Sequence, residues 1–266
     1  QRAYLQGRLG GVKVMAGRFS QNIHALDIYG TRMDGVDVKY GKKIRLQAYA
    51  GKPTNGKALF DSNVNNIAKD AKPSMARGKA DEAWGVNVAA DLGKSFTLFA
   101  GYDQFKASDS AVTATDKSVD PAKDINGVAN GKDKIFNVGF SYKINKDFNL
   151  GATYLHADLD GRVAGASKDG FVASVGYKGA NGNKVGSWGL AARYFHTPAG
   201  GFYTPGWEDG HSATVTLVRE GFKGYYVKGN VTLAKNIIAG VEYWDLKSRE
   251  TDTKSKTLFS GLYFNF

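Results

Sequence analysis

Hydrophobic and polar residues alternate along most of this chain, in segments of about ten residues. One clear example places four apolar side chains on one face of an extended segment, at Phe136, Val138, Phe140 and Tyr142. Successive side chains of a β-strand point to opposite faces, so each such segment predicts a strand with one apolar face. We count thirteen of these segments, each about long enough for a tilted strand to cross the apolar layer of a membrane.

The connections between these segments alternate strictly between short and long. The short ones contain Gly, Asn, Asp or Lys, as tight hairpins require, and lie at 10–11, 41–43, 93–95, 145–147, 180–183 and 234–236. The long ones lie near 20–31, 52–80, 107–131, 159–169, 198–221 and 249–255. This rhythm is typical of an up-and-down barrel with short periplasmic turns and long outer loops. The apolar stretch 211–218 is interpreted as an ordered part of an outer loop.

We therefore predict an all-β fold, a transmembrane antiparallel β-barrel that forms a single domain over residues 1–266. The alternative is a soluble sandwich or lipocalin-like barrel, whose apolar faces would meet in a protein core. Both the first and the last segment run towards the short connections. A barrel with an even strand number then requires an odd number of further strands upstream, and three would complete sixteen. The chain opens on Gln1, as expected for a mature chain or a fragment from which any export signal has been removed.

The last segment presents an almost wholly apolar stripe up to the final residue. The stripe includes Leu262, Phe264 and Phe266. An exposed apolar strand of this kind is a liability in a soluble domain, but in a barrel it faces lipid and pairs to remove an edge. We predict that these three residues form the assembly signal of the barrel.

Composition excludes several other classes. The chain has no cysteine, so it has neither a disulfide framework nor a thiolate metal site. Its apolar runs are far shorter than the roughly 20 residues of a membrane-spanning helix. The 34 glycines, 14 tyrosines and 15 phenylalanines against 5 prolines suit a sheet with tight turns and aromatic girdles. No cofactor is expected.

The face opposite the apolar stripes carries charge, and most of it is basic. The predicted pore-lining residues are Arg8, Lys13, Lys39, Arg45, Lys143, Arg193 and Lys228, with Asp37, Asp103 and Glu242 as acidic members. The formal net charge of the chain is +11. Other inward positions carry glycine or serine, and these small residues predict open volume inside the barrel. They are Gly85, Gly139, Ser141, Gly151, Ser174 and Gly176. Basic charge spread around a barrel predicts a polar, mildly anion-selective pore wall and argues against nucleic-acid binding.

No catalytic arrangement is evident. The four histidines have no metal-ligand spacing, and a metal site is not expected. His156 precedes Asp158 and Asp160 near a predicted rim, where an outer-membrane lipid-modifying enzyme would need a Ser–His pair. We interpret His156 as an interfacial residue that begins a loop.

Three long loops differ in character. Residues 52–80 are basic and residues 107–131 are acidic, so the two either pair across the mouth of the barrel, fold inward, or remain solvated. The aromatic cluster of Phe202, Tyr203 and Trp207 makes 198–221 the loop with the strongest signal for order.

Three short stretches of the chain carry a family likeness: Met33 to Val38, Leu233 to Ile237 with Val241 to Trp244, and Leu262 to Phe266. They resemble outer-membrane general porins, and in particular the S-layer-homology-tethered porins of diderm Firmicutes. The resemblance implies a homotrimer in the bacterial outer membrane, in contact with lipid and lipopolysaccharide. It also implies attachment to peptidoglycan or another cell-wall polymer, but only through an N-terminal periplasmic tether that this sequence lacks.

The sequence thus predicts a porin, a passive diffusion channel for small hydrophilic solutes. Two alternatives remain open. One is a plugged structural or adhesive barrel for envelope attachment, which needs inward bulk or an occluding loop. The other is the outer-membrane enzyme.

Overall fold

The computed structural model describes residues 2–23, 28–64, 77–116, 123–162, 164–205 and 215–265. They form fifteen strands and one short helix. The strands are β1 (Ala3–Leu9), β2 (Val12–Ile23), β3 (Tyr29–Gly41), β4 (Ile44–Pro53), β5 (Ala58–Val64), β6 (Arg77–Lys79), β7 (Glu82–Leu92), β8 (Phe96–Asp116), β9 (Lys123–Lys143), β10 (Phe148–Leu159), β11 (Asp169–Lys178), β12 (Trp188–His196), β13 (Phe222–Ala234), β14 (Ile237–Ser248) and β15 (Lys254–Phe264); the helix is α1 (Val215–Glu220).

Thirteen of the strands form one antiparallel sheet in which each strand pairs with the next along the chain. The order is β1-β2-β3-β4-β7-β8-β9-β10-β11-β12-β13-β14-β15, while β5 and β6 lie off this path. The predicted all-β fold and its thirteen crossing strands are confirmed. No pairing joins β1 to β15 within the described ranges. The total of sixteen strands remains a prediction.

The short connections all lie at one end of the sheet, called the turn end below, and the long ones at the loop end. At the first turn Gly10 and Gly11 have φ angles of 53° and 88°, which only glycine adopts without strain. This turn joins β1 to β2 in direct register, with Leu9 opposite Val12. Tight turns and full register keep alternate side chains on one face throughout the sheet.

The outward face of the sheet is apolar, as predicted. It exposes aromatic side chains near the loop end, at Trp84, Phe136, Tyr154, Phe171, Tyr194 and Tyr225, and near the turn end, at Tyr40, Tyr142, Phe148, Trp188 and Phe264. Aliphatic residues such as Val86, Val138 and Val227 are exposed between these two levels. Two aromatic belts with an aliphatic band between them match the lipid-facing surface of an outer-membrane barrel.

The loop prediction for 107–131 is wrong in its extent. β8 and β9 continue their pairing up to Asp116 and Lys123, with one irregularity between Ala107 and Ser110. The predicted loop 52–80 also contains strands, because β5 pairs with β9 from Ser62 opposite Ala129. Polar composition suggested loops here, but a hairpin satisfies its backbone groups by pairing and needs no apolar stripe. Of the three alternatives left open for these two segments, pairing is the one that the described residues show, through the backbone of β5 and β9.

The loop 198–221 is ordered over the part that the structure describes. Residues 198–205 are buried, and α1 covers 215–220. The stretch 211–218 therefore ends in a helix; Trp207 and residues 211–214 lie outside the described residues. Among the described helical residues, none forms a helix of the length and apolar character needed to span a membrane.

The last strand, β15, pairs with β14 along its whole length. Leu262 and Phe264 are 56% and 53% exposed on the outward face, as the alternation predicted. Phe266 lies outside the described residues. The role of these residues as an assembly signal stays a prediction.

Candidate functional site

The inward face of the sheet divides into two regions of different chemistry. The turn-side half holds charged and amide side chains that remain partly exposed, whereas the loop-side half holds a buried, largely aromatic core. Nearly all the predicted pore-lining residues lie in the turn-side half. The aromatic core lies where the sequence predicted open space.

The first recess of the turn-side half lies on β1 to β7 and has a volume of about 370 Å³. Four predicted residues line it, namely Arg8, Lys13, Lys39 and Arg45. Direct cross-strand register brings them together, because Arg8 lies opposite Lys13 and Lys13 opposite Lys39. Gln47 and Asn87 supply further polar wall.

The second recess lies further along the sheet, on β10 to β13, and has a volume of about 240 Å³. Arg193 and Lys228 line it together with Lys178, a basic residue that the sequence analysis did not assign. A neighbouring recess of about 200 Å³ joins Arg193 to Lys143. Each of the seven predicted basic residues therefore lies in one of these recesses.

The inward carboxylates Asp37 and Glu242 form hydrogen bonds or ion pairs with neighbouring side chains. Asp37 accepts hydrogen bonds from Gln21 and Gln47 and lies 3.4 Å from Lys39 Nζ. Glu242 accepts a hydrogen bond of 2.6 Å from Lys228 Nζ. These carboxylates neutralise nearby cations and add little free negative charge to the recesses.

Asp103 points inward but has no access to water. It is fully buried and accepts hydrogen bonds from the Tyr49 hydroxyl at 2.9 Å and from Asn87 Nδ2 at 3.2 Å. The prediction that it lines an open pore is wrong in this respect, because the ring of Tyr49 occupies the adjacent space. Asp103 instead holds β4, β7 and β8 together.

Arg45 is also neutralised. Its guanidinium forms a bidentate pair with Asp91, with an Nη2–Oδ1 distance of 3.0 Å. By contrast, no carboxylate pairs with Arg8, Lys13, Lys143 or Arg193 among the described residues. The uncompensated inward charge of the turn-side half is therefore positive.

The loop-side half is filled by two clusters of rings. Tyr29 and Phe105 stack with Tyr203 on one side, with Phe105 and Tyr203 only 4.3 Å apart between ring centroids. Phe195 and Phe222 pack against Phe202 on the other side, at 6.5 and 5.9 Å. All six rings are at most 1% exposed. Burial of this kind raises the pKa of the Tyr203 hydroxyl.

One stretch of chain connects these clusters, and we call residues 198–205 the crossing segment. Phe202 faces the wall of β12 and β13, and its neighbour Tyr203 faces the wall of β3 and β8. Backbone hydrogen bonds fix the far end, from Tyr203 N to Ile28 O at 3.0 Å and from Gly30 N to Thr204 O at 2.8 Å. The crossing segment thus runs from one wall of the sheet to another.

The small inward residues that were predicted to leave open volume divide into two groups. Ser141, Gly151, Ser174 and Gly176 line the recesses on β9 to β12, whereas Gly85 and Gly139 leave no open volume. A Cβ atom at Gly85 would lie 2.6 Å from the ring of Tyr49, and one at Gly139 would lie 2.7 Å from the ring of Phe99. At Gly176 the added atom would meet the amide of Asn149 at 2.7 Å. These glycines make room for large inward side chains on the neighbouring strands.

Asp133 has the least favourable surroundings of the described carboxylates. It is fully buried in the loop-side half, and neither side-chain oxygen has a hydrogen-bond partner among the described residues. Phe105 and Leu159 are its cross-strand neighbours. Gly200 of the crossing segment lies against it, with φ at 75°. The aromatic core therefore contains one isolated carboxyl group.

His156 does not form with Asp158 and Asp160 the rim site that the enzyme alternative would need. Its Nδ1 lies 2.8 Å from Asp169 Oδ1 on the exposed outward face, and the Tyr154 hydroxyl also donates to Asp169. Ser167 is close in sequence, but its hydroxyl bonds the backbone of Asp169. Among the described residues no group of His, Asp and Glu is arranged to hold a metal ion.

Comparisons with known proteins agree with this fold. No family model matches the chain, and no curated protein matches it. Among solved structures it is similar to the outer-membrane OmpT of Vibrio cholerae, with a TM-score of 0.58 and 15% identity over 98% of this chain and 80% of that one. A weaker likeness is to OpdQ of Pseudomonas aeruginosa, with a TM-score of 0.43 and 12% identity over 97% of this chain and 79% of that one. Another is to OccK3 (OpdO) of the same organism, with a TM-score of 0.44 and 10% identity over 98% of this chain and 78% of that one.

The fold is that of an outer-membrane β-barrel, as the architecture and the likeness to the Vibrio protein together indicate. The narrower resemblance to S-layer-homology-tethered porins is not supported, since no family model and no curated protein matches and the solved structures named above belong to other groups. Short motifs with little positional specificity had suggested it. Strand alternation alone produces such motifs in any barrel of this class.

Proposed function

We propose that this chain is an outer-membrane porin, a passive channel for small hydrophilic solutes with a mild preference for anions. The observation that carries the proposal is the contrast between its two faces. The outward face is apolar between two aromatic belts, while the turn-side lumen carries uncompensated basic groups such as Lys13 and Arg193. Fixed positive charge in a confined aqueous passage concentrates anions.

Passage through the loop-side half is restricted by the crossing segment. On this proposal only small solutes pass Phe202 and Tyr203, whose side chains are buried in the loop-side half. We further propose a homotrimer in contact with lipid, with no nucleic-acid partner. Blue-native electrophoresis of detergent extracts tests the trimer, and a band at the mass of one chain would contradict it.

The experiment that tests the channel is conductance of the purified protein in a planar bilayer. We expect discrete steps of small conductance, with a reversal potential in a salt gradient that indicates anion preference. Gel migration supplies the control for folding, because an intact barrel migrates differently before and after boiling. A folded, heat-modifiable protein that produces no steps would contradict the proposal.

A second candidate function is a structural barrel whose lumen is closed. The aromatic core favours it, since the crossing segment links opposite walls through Phe202 and Tyr203. The same bilayer experiment separates the two candidates. A closed barrel gives no steps as wild type, but steps appear after Phe202 and Tyr203 are both changed to Ala.

A further inference from the structure

Four basic side chains form a continuous row on the outward face at the loop end, and we call them the basic row: His196, Lys223, Lys247 and Lys254. Direct register creates the row across β12 to β15, because His196 lies opposite Lys223, Lys223 opposite Lys247, and Lys247 opposite Lys254. Adjacent strands are roughly 4.8 Å apart, so the three lysines extend over about 10 Å. Lys223 and Lys254 are exposed, and Lys247 is partly exposed.

Such a row of cations destabilises the folded sheet as long as no anionic ligand is bound to it. Like charges directly opposite each other on neighbouring strands destabilise a sheet. Among the described residues two ion pairs lie near the row: Lys247 Nζ lies 3.5 Å from Asp252, whose side chain is fully exposed, and Lys256 Nζ lies 3.1 Å from Asp245. Arg249 adds a further positive charge, and its guanidinium donates to the backbone oxygens of Asp169 and Thr197.

The same level of the sheet is arranged differently elsewhere. Arg18 pairs with Asp34, Glu82 with Lys106, and His156 with Asp169. Each of these pairs joins opposite charges across neighbouring strands. The row that contains Lys106 and Lys132 is balanced by Glu82 on one side and by Asp160 near the other. The basic row departs from this arrangement because it has no acidic member.

The position of the row identifies the chemistry of its ligand. Directly towards the apolar band lie Tyr194 and Tyr225, which belong to the loop-end aromatic belt. Side chains just beyond such a belt lie at the level of lipid headgroups. A line of several cations about 10 Å long fits a headgroup with two separated phosphates better than one with a single phosphate.

We propose that the basic row is a binding site for the phosphate groups of an outer-leaflet glycolipid of the lipopolysaccharide class. The inference rests on the proposed function for its membrane orientation, with the long loops outside. The lysines supply charge-assisted hydrogen bonds to phosphate oxygens. The ligand in turn removes the repulsion along the row.

The test uses the full chain, refolded in detergent without lipopolysaccharide, and titrated with purified bisphosphorylated lipid A in the presence of a chelator. The Lys223→Gln/Lys254→Gln double variant is compared with the matched Lys106→Gln/Lys132→Gln double variant. Each lysine near an anionic lipid surface contributes enough that we expect the first variant to bind about tenfold more weakly or worse. The matched variant should bind as wild type does.

Two further binding measurements identify whether the phosphate belongs to a lipid headgroup or is free in solution. Lipid A without its phosphates should bind wild type and the Lys223→Gln/Lys254→Gln variant equally weakly. Inorganic pyrophosphate at millimolar concentration should compete poorly, because it lacks the acyl chains that lie along the apolar band. Pyrophosphate that displaces lipid A at low concentration would contradict a lipid-headgroup site.

Equal affinity of all variants for lipid A would overturn the proposal. A loss of oligomer without a loss of lipid A binding would also overturn it, by identifying a second copy of the chain as the occupant. Conductance separates this result from the proposed function, because Lys223 and Lys254 face outward and the variant should conduct as wild type does. Lysine-dependent lipid A binding by a non-conducting protein would contradict only the channel.

Discussion

The two halves of the lumen share one strand alternation but differ in what the inward positions hold. In the turn-side half, inward positions on β2, β3 and β12 carry Lys13, Lys39 and Arg193 beside recesses. In the loop-side half, an inward position further along β12 carries Phe195, which is fully buried, and one on β14 carries Trp244. A side chain that points inward is therefore not always exposed to water.

The difference arises from what each half contacts. The short turns leave the turn-side half open, so its charged side chains retain water and are only weakly penalised. The long connections fold back over the loop-side half and bring apolar residues such as Leu59, Phe60 and Leu217 into it. Removal of that apolar surface from water stabilises the folded connections.

The largest effect is expected from removing the rings that join the two walls. Changing Phe202 and Tyr203 together to Ala should cost about 3–5 kcal/mol of stability for each ring. It should also raise single-channel conductance severalfold, since both aromatic clusters lose their central member. Thermal gel-shift assays and planar bilayers measure the two quantities. Unchanged conductance in a folded variant would mean that the crossing segment does not restrict the lumen.

A second prediction compares arginine placed at inward positions of the two halves. Leu155→Arg buries a charge in the aromatic core and should destabilise the barrel by several kcal/mol, because burial removes the guanidinium group from water. Ser141→Arg, on the inward face of the turn-side half, should be nearly neutral. Val138→Arg, on the lipid-facing side of the same strand, should cost about 2–4 kcal/mol at the midplane of the membrane. Temperature-dependent gel shifts give the order of the three variants, and equal tolerance at Leu155 and Ser141 would remove the distinction between the halves.

A third prediction concerns the isolated carboxyl group of the aromatic core. Asp133→Asn keeps the shape of the side chain but removes the possibility of a buried charge, so it should raise stability by about 1 kcal/mol. Asp158→Asn is the matched control, because Asp158 is partly exposed and pairs with Lys168 at 2.6 Å and Arg162 at 3.1 Å. The control should be neutral or slightly destabilising. A destabilised Asp133→Asn variant would indicate that the carboxylate has a partner that stabilises the loops.

Alternation predicted the strands, the turns and the outward face because it reports directly on which residues share a face of a sheet. It could not predict the aromatic core, since burial on the inward side depends on where the long connections fold. A signal was nevertheless present in the sequence. Tyr194-Phe195 and Tyr243-Trp244 place large rings on both faces at the loop ends of β12 and β14, and lipid on one side explains only one ring of each pair.

The positively charged wall could be predicted in part. Alternation identified Arg45 and Arg193 as equivalent inward cations, yet it says nothing about partners on distant strands. The pairing of Arg45 with Asp91 depends on a contact between β4 and β7, which are separated by β5 and β6 in the chain. Burial of Asp103 under Tyr49 escaped prediction for the same reason.

The last prediction, and the smallest effect, uses that difference between the two arginines to test anion preference. Arg193→Ser removes an uncompensated cation from the second recess, so it should shift the reversal potential in a salt gradient towards cations. Arg45→Ser alone would leave Asp91 uncompensated, so the matched control is the Arg45→Ser/Asp91→Ser double variant, which removes a neutral pair and should shift the reversal potential less. Both shifts should shrink as salt rises, since charges in a wet lumen are screened over about 8 Å at physiological ionic strength. Equal shifts for Arg193→Ser and for the Arg45→Ser/Asp91→Ser double variant would mean that ion selectivity does not follow the uncompensated charge of the wall, and a wild-type preference for cations would contradict the positive wall itself.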